Sequence, residues 1–164
     1  MLNPRSLLSA VAVVVAVGFS GALAARAQDH EHGAGHPKDG PATAALKLNQ
    51  GKKWKTDDQL RGGMNTIRDE LQKALDPIHA GTYSPEDYAA LAGRIENQIT
   101  NVLSKCKLAP DVDAQFHLVL ADILAGTKVM KQDDNRMGGA VKIIKALEAY
   151  AKYFEHTGWK PIKH

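Results

Sequence analysis

Four stretches of the chain carry apolar residues that return every three or four positions, and strand-period alternation is absent. In the first stretch Leu60, Met64, Ile67, Leu71 and Leu75 step by four, three, four and four, which lays side chains along one face of an α-helix. The second runs Tyr88, Leu91, Ile95, Ile99, Val102 and Cys106. The third includes Phe116, Leu118, Leu120, Ala121, Leu124 and Val129, and the fourth Val141, Ile144, Leu147, Ala151 and Phe154. Such stripes are stable only when buried against one another. They predict an all-α fold, and short connections between helices of about five to six turns predict an antiparallel, up-down-up-down four-helix bundle.

The ends of these stretches carry their own signals. Thr56, Asp57, Asp58 and Gln59 read as a capping box with acidic residues in the first turn, so the first helix is expected to start there and to end at Pro77. After a turn over 76–83, Ser84 caps, Pro85 takes the first helical position and Asp87 stands three residues past the cap, a second start signal. That helix is expected to stop at Pro110, where Pro110 or Asp111 opens the third. Residues 131–139 read as a turn, with Gly138 and Gly139 in a weak first helical turn, and Gly158 is placed to cap the fourth helix.

Ahead of the bundle lie two segments of different character. Arg5, an apolar run from Leu7 to Phe19 and the triplet Ala25, Arg26, Ala27 have the order of a signal peptide, residues 1–27, cleaved after Ala27. The run is too short to span a bilayer core of roughly 30 Å, so the expectation is an exported protein, periplasmic in a double-membrane host, with no membrane anchor after cleavage. Residues 28–50 hold His30, His32 and His36 among Gly and Pro, with almost no apolar periodicity before Leu46, and read as a disordered His-rich arm. The bundle occupies 51–164.

Charge excludes some partners. Residues 1–27 contain Arg5 and Arg26 and no acidic residue, so their removal takes the formal charge from +3 to +1. Neither nucleic acid nor an anionic membrane is indicated. The single cysteine, Cys106, has no internal partner. In an oxidising compartment it is buried and inert, an intermolecular linker, or a ligand.

The run Gly51, Lys52, Lys53, Trp54, Lys55, Thr56, Asp57, followed by Leu60, Arg61, Gly63, Met64, Ile67 and Arg68, resembles a group of small exported proteobacterial proteins sometimes labelled DnrO. The likeness continues through Pro77 to His79, Cys106 to Pro110, Ala114 to His117 and His156 to Trp159. It implies a compartment and a fold, but no chemistry. A looser likeness is to periplasmic b-type four-helix cytochromes, which hold haem between a Met on the first helix and a His on the last. Here it implies Met64 and His156, although on an ideal wheel of roughly 100° per residue His156 points about opposite Leu147 and Phe154. No Cys-x-x-Cys-His is present, which excludes covalent c-type haem.

The proposed topology gathers Met64, Cys106, His117 and His156 near one end of the bundle. Thioether, thiolate and imidazole together suit copper, above all Cu(I), so Met64, Cys106 and His117 form a candidate metal set. Each also has a packing reading. Met64 and Cys106 lie on apolar stripes, His117 follows Asp113 by four residues and pairs with it on the helix, and His156 stabilises a helix C-terminus. A separate candidate lies in the arm. Cleavage after Ala27 makes Gln28, Asp29, His30 the new start, and its amine, two backbone amides and the third-position imidazole close the square plane favoured by Cu(II). His32 is a nearby further donor. The motif holds only for cleavage after Ala27, not after Ala24, and only while Gln28 keeps its amine.

No nucleophile elbow, phosphate-cradling Gly loop or Glu-x-x-His pair occurs, so catalysis is not expected. Gly62 and Gly63, costly inside a helix at roughly 1 kcal/mol each relative to Ala, are expected to admit a close neighbour such as Trp54, Trp159 or a flat cofactor. Three readings result: a metal-binding chaperone, buffer or sensor with copper favoured, a haem electron carrier, or a structural bundle without a cofactor. No protein partner can be named.

Overall fold

The computed structural model describes residues 40–132 and 134–163. The fold is all-helical, with four long helices: α1 Asp58–His79, α2 Pro85–Lys105, α3 Pro110–Gln132 and α4 Arg136–Tyr153. Two-residue strands β1, Trp54–Lys55, and β2, Phe154–Glu155, pair in parallel, Trp54 opposite Phe154 and Lys55 opposite Glu155. Consecutive helices pack on each other, α3 against α4 most extensively, while α1 and α4 touch far less. No helix among the described residues is long and apolar enough to cross a membrane.

The α1 cap is Asp57, one residue later than the Thr56 box predicts. The Asp57 carboxylate accepts the Leu60 N–H at 2.7 Å and, through its other oxygen, the Lys107 N–H at 2.7 Å, whereas the Thr56 hydroxyl donates to the Glu155 carbonyl at 2.5 Å. Pro77 does not end α1. It stands in the last turn, where Ile78 is still buried, and its carbonyl accepts the Thr82 N–H at 3.0 Å. Gly81, at φ +68°, makes the left-handed turn that frees the chain. The α2 start is as expected: Ser84 and Asp87 cap each other's backbone N–H groups.

The α3–α4 connection is shorter than predicted, since α3 runs to Gln132 and Asn135 caps α4 by accepting the Gly138 N–H at 3.1 Å. At the crossing a Cβ built on Gly139 would stand 2.6 Å from the Gly126 carbonyl oxygen, and one on Gly126 2.7 Å from the Gly139 oxygen. The two backbones meet directly. The α4 helix stops at Tyr153, not at Gly158. Phe154 turns extended to pair with Trp54 and buries its ring 5.2 Å from that of Tyr150.

The core holds the predicted stripes of α1 and α2, with Leu60, Met64, Leu71, Leu91 and Ile95 inaccessible. Cys106 is the exception, as it caps α2 and is half-buried. Of the predicted third and fourth stripes Phe116, Leu120, Ile144, Leu147 and Phe154 are buried, but the buried face of α3 and α4 is wider than the predicted one. Ile123, Val119, Met130, Ile143 and Tyr150 are inaccessible, while Leu124 and Val141 are exposed. These two helices carry apolar residues on several faces, so spacing alone left their inward side open.

Residues 40–50 correct the reading of the whole 28–50 segment as disordered. Ala42–Ala45 form a 3-10 helix whose Ala42 and Thr43 N–H groups donate to the Asp122 carboxylate, each at 2.8 Å. Leu46 is buried in the core, and the Trp54 indole N–H donates to the Lys47 carbonyl at 2.7 Å. The remainder, 28–39, lies outside the described residues, as does the predicted signal peptide.

Candidate functional site

Gln28, Asp29, His30 and His32 lie outside the described residues. Met64 is inaccessible on the core face of α1. Cys106 is a free thiol, and burial, followed by the Asp57 and Asp113 carboxylates, pushes its pKa up, which keeps it protonated near neutral pH. His117 is exposed on α3 with Nδ1 2.9 Å from the Asp113 carbonyl oxygen and 3.4 Å from its carboxylate. Met64 thus faces the core and His117 solvent. Among the described residues no group of three or more His, Cys, Asp or Glu is placed to hold a metal.

Gly63 is a site of close approach, but its neighbour is the α2 side chain Val102, whose Cγ2 would stand 2.0 Å from an added Cβ. Gly62 has open space instead.

A different set of residues does converge, where the start of α1, the end of α4 and the C-terminal segment meet. Arg61 and Arg68 stand two turns apart on α1, and Tyr150 and Phe154 one turn apart in sequence. The Arg61 guanidinium donates to the Thr56 carbonyl and, at 3.1 Å, to the Thr56 hydroxyl, and it pairs with Asp58. Tyr150 is inaccessible, its hydroxyl 2.9 Å from His156 Nδ1. Gly158, at φ +82°, turns the chain so that the Trp159 ring meets those of Tyr150 at 5.2 Å and His156 at 5.0 Å, with the Arg68 guanidinium 5.9 Å from its centre.

Burial raises the Tyr150 hydroxyl well above its ordinary value, so it is a neutral donor at all physiological pH. Burial also lowers the His156 imidazole below 6.5, and the Arg61 and Arg68 charges lower it further. His156 is therefore neutral near pH 7, and in the tautomer that leaves Nδ1 unprotonated it accepts from Tyr150. Beside the cluster lies a polar cleft of about 280 Å³ lined by Lys55, Thr56, Arg61, Glu155 and Thr157. An apolar one of about 190 Å³ is lined by Ile144, Leu147, Glu148, Ala151, Trp159, Pro161 and Ile162. Sequence reasoning singled out His156 but missed its partners. The signal present was the seven-residue spacing of Arg61 and Arg68, which puts two cations on one face of α1.

Comparison with protein-family models, characterised proteins and solved structures finds no match. The class defined by the described residues is an all-helical, four-helix fold.

Proposed function

We propose that the chain is an exported, periplasmic metal-binding protein, copper favoured, whose ligands lie in the His-rich arm before residue 40. Its four-helix body then serves as a scaffold and not as an enzyme. The observation that supports this reading is the commitment of every soft or borderline donor proposed in the body. Met64 packs in the core, Cys106 is held protonated, His117 leans on Asp113 and His156 is hydrogen-bonded to Tyr150. His30, His32 and His36 are three of the seven histidines, in a stretch without a core stripe. With export, Gln28, Asp29 and His30 supply the four nitrogens that suit Cu(II).

The test is a Cu(II) titration of the chain beginning at Gln28. The expected result is one tightly held Cu(II) with the d-d absorption of a four-nitrogen square plane, lost in His30→Ala. It should also be lost when one Ala precedes Gln28, which moves the imidazole to position four. An Ala-extended chain with unchanged affinity and spectrum would refute the arm site. Failure of the whole chain to retain copper would leave the body as an interaction scaffold.

The helix order of the body is proposed to be antiparallel, up-down-up-down. It is supported by contacts in which one partner's number falls as the other's rises: Asp57 with Lys107, Gly63 with Val102 and Glu70 with Arg94 between α1 and α2 and the segment after it. Between α3 and α4 the same trend links Phe116 to Tyr150 and Gly126 to Ile143.

A further inference from the structure

The segment after β2 returns along the α1–α4 seam, where the two helices make little direct contact. Its far end is tied to α1 by a reciprocal pair, Lys163 N–H to Gln72 Oε1 at 2.8 Å and Gln72 Nε2 to the Lys163 carbonyl at 3.1 Å. Ile162 and Pro161 line the apolar cleft with Ile144 and Leu147. Its near end is held by Trp159, which rests on Tyr150, His156 and Arg68. Consecutive helices, by contrast, pack directly on one another. This seam is closed by a strap.

The near end depends on one proton position. With Nδ1 of His156 unprotonated, the inaccessible Tyr150 hydroxyl, 2.9 Å away, donates to it. A second proton on Nδ1 would put two hydrogens between the same pair of atoms. The Tyr150 proton would then have to turn towards Thr56, where a guanidinium already donates. The charges around the imidazole oppose protonation as well. From α1 it meets Arg61 and Arg68, whose carboxylate partners Asp58 and Asp69 are largely exposed. From α4 and β2 come neutral Tyr150 and exposed Glu155, and from the strap exposed Lys160.

We propose that His156 is a proton-operated latch: neutral, it holds Tyr150 and Trp159 together and keeps the C-terminal strap in the α1–α4 seam, and protonated, it releases the strap while the four helices stay folded. The sign follows from the direction of its shift. A histidine depressed below 6.5 when docked binds its proton more readily when the strap is free, so docking is full above that value and weakens as pH falls through it.

The experiment follows Trp159 emission in a Trp54→Phe chain from pH 8 to pH 4.5, with far-ultraviolet circular dichroism on the same samples. The expected result is a single red-shifting transition centred below 6.5 with unchanged helical signal, absent in His156→Gln. The imidazole titration of His156, followed by nuclear magnetic resonance in the unsubstituted chain, should share that midpoint. This second measurement stands even where His156→Gln fails to fold. A flat Trp159 signal, the same transition in folded His156→Gln, a loss of helix alongside the emission change, or mismatched midpoints would each overturn the latch.

Discussion

A Cβ placed on Gly63 would stand 2.0 Å from Val102 Cγ2, a distance no side chain tolerates. Gly63→Ala should therefore destabilise, by about 1–3 kcal/mol through overpacking, although alanine is intrinsically the better helix former by about 1 kcal/mol. Val102→Ala in the same chain should return part of that loss, leaving the pair non-additive by more than about 0.5 kcal/mol in denaturant melts. Simple additivity would mean that α1 and α2 separate freely. Ile67, only 1% exposed in the middle of the α1 stripe, gives the complementary case. Its truncation to alanine should cost about 2–5 kcal/mol through the cavity left behind, and a loss under about 1 kcal/mol would contradict its burial. Ile67 was legible from spacing alone. The role of Gly63 was half legible, because a glycine inside a helix announces a close neighbour but not which one.

At the scale of elements, caps and connections differ in how far away their causes lie. Ser84 and Asp87 are three residues apart and satisfy each other, so the α2 start could be read directly. The α1 start slipped by one residue because Thr56 is drawn to Glu155, nearly a hundred positions away. The end of α4 moved for the same kind of reason, since Phe154 pairs with Trp54. Residues 42–46 are held by the distant Asp122 carboxylate and by the burial of Leu46. Asp122→Ala should free the Ala42 and Thr43 amides, with a loss of about 1–3 kcal/mol confined to that segment. Amide hydrogen exchange should show protection lost over 42–46 and kept in α3. Unchanged protection would mean that Leu46 alone anchors the segment.

For the four-helix body as a whole, the proposed antiparallel order has a direct chemical test. The Cβ that would stand on Gly63 lies 3.5 Å from Val102 Cβ, within the range a disulfide bridges. In a Cys106→Ser chain, Gly63→Cys with Val102→Cys should cross-link under mild oxidation and shift on a non-reducing gel, whereas a parallel α1–α2 pair would leave both thiols free. The local rules of the chain were enough to specify an all-helical protein with four long helices, because helical periodicity and N-terminal caps are decided by residues within about four positions of one another. Met64 entered the core with its stripe, as its spacing predicts. Tertiary structure decided that His117 stayed in solvent and Cys106 slid to a helix end, since burial is a property of neighbours brought from elsewhere in the chain. It also assembled Arg61, Thr56, Tyr150, His156 and Trp159 from both ends of the body, a cluster whose members are ordinary by themselves and acquire a shared proton only by meeting.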